Sequence, residues 1–425
     1  MKHVPLKYVA AIKAGQSPPS SEVEALASGT PFLQGNAEFG SLHPAPRFEC
    51  SSAPKVAAPG EILLSVRAPV GALNIADVSY GIGRGLCAVK ASSCDSRFLW
   101  WWLHGQRQNL HRVSTGSTYK AVSAEDVGAL EFPVLGISEQ RAIASLLDVE
   151  IPRIDRLIGL RRRQEFRLEQ RRYAFLSEKL VPGTLRHAPG DGMYSWLPDL
   201  PEDLPMVKLG YLCKIQNGLT VDGARKVVGD VVTRPYLRVA NVQADRLELD
   251  SVSEITVPRA VADRCTLRRG DVLMTEGGDL DKLGRGTVWG GEIADCLHQN
   301  HVFALRPDGS LLDSRYLSLL TQSLHGRCYF ESTGSKTTNL ASTNSNKILS
   351  FPIPLPVIKR QKELVVQVEE GVQVIAKARA LLRRQRALLV GRRQALITAA
   401  VTGQFDASTA SGRNVTDVTD GVTRV

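Results

Sequence analysis

Several things are missing from this chain of 425 residues, and each absence excludes a class of function. No apolar run approaches the ~20 residues of a membrane span, and the N-terminus lacks a signal-like apolar core, so a soluble, cytoplasmic protein with no membrane contact is expected. Cysteines stand at 50, 87, 94, 213, 265, 296 and 328 with no CxxC spacing. That scatter argues against a zinc site and against a disulfide framework, and leaves buried or idle thiols. There is no Asn-Pro-Pro-aromatic or Asp-Pro-Pro-aromatic tetrad for methyl transfer to an amino nitrogen. Gly81-Ile-Gly-Arg-Gly85 reads as a loop without GxGxxG spacing or a framing βα unit, which argues against a dinucleotide site. His298-Gln-Asn-His301 has no third ligand at a metal-like spacing. Asp271, Glu276, Asp279, Asp281 and Lys282 imitate a magnesium nuclease centre, but the first half of the chain matches only Asp271, through Glu61. A non-catalytic chain that binds no cofactor or metal of its own is expected.

What is present is a duplication. An arginine-rich helical stretch at about 139–182 returns at about 361–402, with Gln140 on Gln361, Gln164 on Gln385, and Arg171-Arg172 on Arg392-Arg393. Upstream, Pro31-Phe32-Leu33 answers Pro235-Tyr236-Leu237, and Pro59-Gly60-Glu61-Ile62-Leu63 answers Arg269-Gly270-Asp271-Val272-Leu273. Asp95-Ser96-Arg97-Phe98-Leu99 answers Asp313-Ser314-Arg315-Tyr316-Leu317, and Ser114-Thr115-Gly116-Ser117 answers Ser332-Thr333-Gly334-Ser335. The order is therefore globular unit, long helix, globular unit, long helix. Expected boundaries are 1–137, 138–187, 188–205 for a Pro/Gly-rich linker, 206–358, 359–403, and 404–425 for a Ser/Thr-rich tail expected to be disordered.

Short strands such as Glu61–Arg67 and a buried helix at Phe98–Leu103, capped by Asp95 or Ser96, are expected in the first unit. The first long helix opens near Ser138 as N-cap, and its stripe Ile143, Leu147, Ile151, Ile154, Ile158 repeats every three to four residues. Pro152 predicts a kink or restart within 148–152, leaving a run of roughly 40 Å beyond it. The second helix offers Leu364, Val368, Ile375, Ala378, Leu382, Leu389 and Leu396, so the two stripes are expected to pair with each other.

Charge is concentrated in the same stretches. Residues 1–137 carry 12 basic and 10 acidic groups and 206–358 carry 18 and 16, whereas 138–187 holds 11 against 7 and 359–403 holds 10 against 3. The helical windows thus account for the whole net charge of +10, which implies a polyanion or acidic partner passing close to them. The globular units supply polar loops suited to phosphates and base edges. Candidate DNA contacts are Thr115, Ser117, Tyr119 and Lys120 in one loop and Lys336, Thr337 and Asn339 in its repeat, with Arg84, Arg238, Asn241, Lys282, Arg285, Gln299 and Asn300 on other loops.

Taken together, these motifs resemble the specificity subunit of type I restriction-modification systems up to Phe405. The carriers are Phe132-Pro133, then Glu139-Gln140, closing on Val181-Pro182-Gly183, and Ile353-Pro-Leu-Pro356, then Gln361, closing on Ala400-Val401-Thr402-Gly403-Gln404. Leu135-Gly136 stands where a second proline is usual, Arg360 replaces a glutamate, and Pro182 replaces a threonine. The resemblance implies an α+β chain: two mixed α/β target-recognition domains separated by two long helices packed as an antiparallel coiled coil, an internal pseudo-two-fold repeat. It further implies that each domain reads half of a bipartite, asymmetric site on double-stranded DNA while the helices set the unread spacer, about one DNA turn or ~34 Å. Two methyltransferase subunits, with S-adenosylmethionine, and two motor-nuclease restriction subunits, with ATP and Mg, would be recruited. The alternatives are a specificity subunit of a methylation-only system and a coiled-coil scaffold with two protein-binding modules.

Overall fold

The computed structural model describes residues 2–113, 121–184, 205–220, 229–243, 245–280, 283–336 and 341–404. The expected linker and tail therefore lie outside the described residues, apart from 205 and 404. Two compact units are formed: residues up to Arg162 together with those from Arg384 make the first, and Arg163–Arg383 make the second. Among the described residues no helix is long and apolar enough to cross a membrane.

In the first unit, strands β1 (Ala10–Ala14), β2 (Ile62–Ser65), β3 (Leu73–Ile75) and β4 (Leu86–Ala91) form an antiparallel sheet in the order β1-β4-β2-β3. A strand pair, His3–Pro5 with Glu131–Pro133, closes this unit, and a second sheet sets Pro31–Leu33 parallel to Tyr80–Ile82. Helix α1 (Ser96–Gly105) follows β4, and the long helix α2 spans Ile137–Leu180. The second unit repeats the plan. Strands β5 (Cys213–Asn217), β6 (Val272–Thr275), β7 (Gly286–Val288) and β8 (Val302–Pro307) run in the order β5-β8-β6-β7. Met206–Lys208 pairs with Pro352–Pro354, and Val231–Leu237 lies parallel to Leu297–His298. Helix α3 (Ser314–Gln322) and long helix α4 (Ile358–Val401) complete it.

The repeated Asp-Ser-Arg motifs explain how each short helix is held. Asp95 caps α1 by accepting from the backbone N–H of Arg97 at 3.0 Å and Phe98 at 3.1 Å, and Asp313 caps α3 the same way through Arg315 and Tyr316. The capping aspartate is itself gripped by the long helix. Buried Gln140 accepts the Asp95 N–H at 2.8 Å through Oε1 and donates to the Leu135 carbonyl at 2.9 Å. Buried Gln361 accepts the Asp313 N–H at 2.9 Å and donates to Leu311 and Pro356, both at 2.8 Å. Two helical turns on, Asp148 receives Arg97 and the indole N–H of Trp101, while Glu369 receives Arg315.

Each long helix is shared between the units. Ile143, Leu147, Ile151, Ile154 and Ile158 of α2 are buried in the first core with Phe98, Trp102 and Phe132, alongside Ile397 and Val401 of α4. Leu364 and Val368 of α4 are buried in the second core with Leu176 and Leu180 of α2. The two helices pack together, and their stripes are also buried in the globular cores. Where the helices meet they run antiparallel: in the second unit Glu165 faces Arg383, Glu169 faces Arg379, and Phe175 packs against Gly371. A Cβ at Gly371 would sit 2.3 Å from the Phe175 ring, so a residue that costs a helix about 1 kcal/mol is required there by close approach. In the first unit Asp155 meets Arg393 at 2.8 Å.

Two expectations about α2 are corrected. Ser138 is not the N-cap, because the Gln140 N–H bonds to the Gly136 carbonyl at 3.0 Å and Ser138 falls inside the first turn. Pro152 does not restart the helix, which runs unbroken through it. Proline removes the N–H that would reach the Asp148 carbonyl, but buried Ile151 and Ile154 on either side and the Asp148 side-chain clamp hold the backbone helical.

Gln361→Leu leaves an N–H and two carbonyls of the second unit without this partner, and is expected to destabilise the chain by about 1–3 kcal/mol in denaturant unfolding. An unchanged midpoint would show that water replaces the side chain. A pH test addresses the second core. Fully buried His325 donates from Nε2 to the Pro352 carbonyl at 2.7 Å, and burial pushes its pKa down to about 4. The unfolded chain, with an ordinary histidine near 6.5, takes the proton first, so stability present above pH ~6.5 drains away as pH falls toward 4. Between pH 7 and 4 the parent should lose about 3 kcal/mol more than His325→Phe; parallel curves would refute this.

Candidate nucleic-acid interface

The sequence candidates distribute unevenly over the fold. Thr115, Ser117, Tyr119, Lys120, Lys282, Thr337 and Asn339 lie outside the described residues, and Lys336 is placed only as backbone in a two-residue strand. Arg84 and Arg238 are exposed; Arg285, Gln299 and Asn300 are partly exposed.

Asn241 corrects the reading made from sequence. It is 4% exposed, its Oδ1 accepts the Arg238 N–H at 2.9 Å, and its Nδ2 donates to the carbonyls of Glu248 at 2.8 Å and Ser251 at 3.0 Å. Its amide is committed to holding the loop 238–251 together, which leaves nothing to offer a base. The side chain's direction carried no signal in the sequence.

The look-alike catalytic groups are also accounted for. Asp271 is buried and takes a two-pronged bond from Arg306, at 2.8 and 2.7 Å, plus the Arg268 N–H. Glu276 pairs with His301 instead. The two acids sit at opposite ends of β6, about 16 Å apart at ~3.3 Å per strand residue. His298 is buried, bonded through Nδ1 to Val302 and through Nε2 to Gln216, and burial lowers its pKa. Among the described residues no group of three or more His, Cys, Asp or Glu converges as a metal site. The loop at Gly81 is half strand, since Tyr80–Ile82 pairs on both sides and only Gly83–Gly85 turn.

Two concave surfaces stand out, one in each unit. In the first, a cavity of about 340 Å³ is bordered by Ser17, Gln34 and Arg84 over the rings of Phe32 and Phe48. Ser17 Oγ accepts from Gln34 Nε2 at 2.8 Å, from Arg84 Nε at 3.3 Å and from the Arg84 N–H at 3.2 Å. Neither Ser17 nor Gln34 was singled out from sequence, because nothing local marks the close approach of segments 67 residues apart. In the second unit a larger cavity of about 510 Å³ is bordered by Arg172, Arg246, Arg285 and Arg327 among acidic and amide groups. Arg172 reaches Gln322 at 2.9 Å, Arg246 reaches Glu248, and Arg327 reaches Glu331, so much of that positive charge is already balanced.

Comparison with known proteins points in one direction. The family described as type I restriction modification DNA specificity domain matches residues 1–164. A putative type I restriction enzyme MjaX specificity subunit from Methanocaldococcus jannaschii is 36% identical over 174 residues, covering 40% of this chain and 40% of that protein. The EcoKI specificity subunit from Escherichia coli K12 is 23% identical over 276 residues, 62% of this chain and 55% of that one. The chain thus matches about two fifths to just over half the length of these curated relatives. Among solved structures, a chain from a study of complex assembly and conformational transition of the type I R-M system superposes with a TM-score of 0.72 at 19% identity, over 94% of this chain and 97% of that one. The HsdS subunit from Thermoanaerobacter tengcongensis gives 0.50 at 18% identity, over 95% and 97%. At these identities the structural likeness establishes the fold.

The contrast between committed and exposed candidates is measurable. Asn241→Ala is expected to cost about 1–3 kcal/mol of stability, since three backbone groups lose their partner, whereas Arg84→Ala should stay within about 0.5 kcal/mol. Denaturant unfolding of both variants checks this, and equal costs would mean that Asn241 is no more structural than Arg84.

Proposed function

We propose that this chain is a specificity subunit of a type I restriction-modification system, the non-catalytic component that reads a bipartite DNA site for its partner subunits. The observation that carries the reading is the duplication seen in three dimensions. Each half has the same four-stranded sheet, the same parallel strand pair and the same capped helix gripped by a buried glutamine, while the loops that leave this frame differ. A conserved frame with divergent loops suits two recognition domains that face unlike half-sites.

The long helices suit a second task. At ~1.5 Å per residue a 44-residue helix is roughly 66 Å long, more than one ~34 Å turn of DNA, which supports their role in setting the unread spacer. They also carry apolar side chains that their own cores leave exposed, Val149, Leu157 and Phe166 on α2 and Val366, Val374, Leu381 and Leu388 on α4. These offer docking surface for two copies of a methyltransferase subunit, which would bring S-adenosylmethionine. Two restriction subunits with ATP and Mg would complete the nuclease. Double-stranded DNA is the polyanion that the basic helices answer, with exposed arginines such as Arg162, Arg163, Arg384 and Arg392 available for phosphates.

The test is to co-express the full chain with a type I methyltransferase subunit and map methyladenine across the genome by sequencing. A split motif, two defined halves around a fixed unspecified run, is expected; a complex that forms without methylating such a motif would sink the reading. In binding assays affinity should fall by about a thousandfold or more between 50 and 200 mM salt, as phosphate contacts demand. A salt-insensitive complex with protein alone would favour a scaffold.

A further inference from the structure

Three chain segments cross at the same place in each half. In the first, Gln16 N–H bonds to the Ile82 carbonyl at 2.9 Å, Gly83 N–H to Leu33 at 2.8 Å, and Leu86 N–H to Gly83 at 3.0 Å. In the second, Leu219 N–H bonds to His298 at 2.8 Å, Gln299 N–H to Leu237 at 2.9 Å, and Val302 N–H to Gln299 at 2.8 Å. The strand registers agree: Leu33 lies beside Ile82 and Leu237 beside His298, both parallel. Glycine permits the crossing in both halves. A Cβ at Gly15 would sit 2.2 Å from the Gly83 carbonyl oxygen, and one at Gly218 would sit 2.3 Å from that of Gln299.

Once these positions are matched, the residues leaving the junction match as well. Ser17 corresponds to Thr220, two residues beyond the glycine. Gln34 corresponds to Arg238, directly after the strand leucine, and Arg84 corresponds to Asn300, directly after Gly83 or Gln299. Each half therefore presents one hydroxyl, one arginine and one carboxamide on a common backbone tripod, with the arginine and the amide exchanged between segments. Gln34, Thr220, Arg84 and Arg238 are exposed; Ser17 and Asn300 are partly so.

We propose that Gln34 with Arg84 in the first unit, and Arg238 with Asn300 in the second, are the base-edge readers of the two half-sites, with Ser17 positioning the first pair. This rests on the reading of the chain as a DNA-specificity subunit. The chemistry fits: arginine forks onto guanine O6 and N7, and glutamine or asparagine pairs with adenine N6 and N7. In the first unit Ser17 Oγ binds both readers from behind, engaging Arg84 through Nε and backbone N–H. The Gln34 Oε1 and the terminal guanidinium nitrogens of Arg84 have no protein partner among the described residues and border the 340 Å³ cavity. Exposed Phe48 beside the cavity provides apolar surface for a thymine methyl. In the second unit the Arg238 backbone is pinned by Asn241, and the Asn300 N–H by the Leu219 carbonyl at 2.9 Å, so both side chains leave a fixed backbone.

The experiment maps the methylated motif of the full chain, co-expressed with its methyltransferase subunit, for the parent and for Gln34→Ala, Arg84→Ala, Arg238→Ala and Asn300→Ala. The parent must first give a split motif; without one, the underlying reading fails whatever the variants do. Given that motif, Arg84→Ala and Gln34→Ala should each relax one position in one half, a G·C pair and an A·T pair respectively. Arg238→Ala and Asn300→Ala should do so in the other half, and the spacer should stay fixed in all four. Motifs identical to the parent's would overturn the assignment, as would changes from both units falling in the same half. For a variant that methylates nothing, competition binding of the same complex decides. A reader loses about five- to hundredfold discrimination at one base pair. A residue that only supports the frame weakens all duplexes alike and is struck from the assignment.

Discussion

The architecture depends on one glutamine used twice. A short helix leaves the N–H groups of its first turn without intrahelical partners, and the residue that caps it must itself be held in place. Gln140 and Gln361 tie the two starts together, because a carboxamide donates and accepts: the oxygen takes the N–H of the aspartate that caps the short helix, and the nitrogen donates to carbonyls of the loop entering the long one. Glutamate would lack the donor and lysine the acceptor. The acid eight residues later, Asp148 or Glu369, adds a second point of attachment to the arginine of the same short-helix motif. Two points on a rigid helix fix both position and angle, so each globular core is locked to its own helix start.

That lock explains what the sequence makes visible. Residues that hold backbone to backbone must be repeated wherever the frame is repeated, and they are the ones that match by eye: Asp-Ser-Arg, the strand ending in Pro-aromatic-Leu, the glycine-acid turn and the helical glutamine. The apolar stripe of α2 was legible for the same reason, since burial at every three to four residues leaves a pattern. What was not legible depends on where a side chain points or on loops of unequal length. Asn241 has a reader's chemistry and a structural position. Ser17 and Gln34 acquire meaning only when segments distant in sequence meet, which no local motif marks. Pro152 breaks a local rule that tertiary packing overrides.

Charge shows the same division between frame and function. Composition alone placed the surplus on the long helices, yet several of those arginines are occupied within the fold: Arg379 and Arg383 by Glu169 and Glu165, Arg393 by Asp155. The Glu165–Arg383 contact at 3.8 Å is loose and its arginine largely exposed, so little stability is expected from it. Their use lies in register. In the second unit Glu165 and Glu169 of α2 meet Arg383 and Arg379 of α4 in antiparallel order. Arg162, Arg163, Arg384 and Arg392 remain exposed to solvent.

The glycine junctions show how one frame carries different side chains in its two halves. Gly15 and Gly218 let three segments cross closely, so the crossing is set chiefly by main-chain hydrogen bonds, to which Ser17 and Asn241 each add one side-chain contact. Side chains leaving that crossing can then be exchanged without moving it, and the two halves have done so, arginine and amide trading segments between them. Had the crossing depended on side-chain packing, each exchange of side chain would have had to repack a core. Because it depends largely on backbone bonds and on the absence of a Cβ, the side chains leaving it are free to differ between the halves while the glutamine lock and the sheet order are retained.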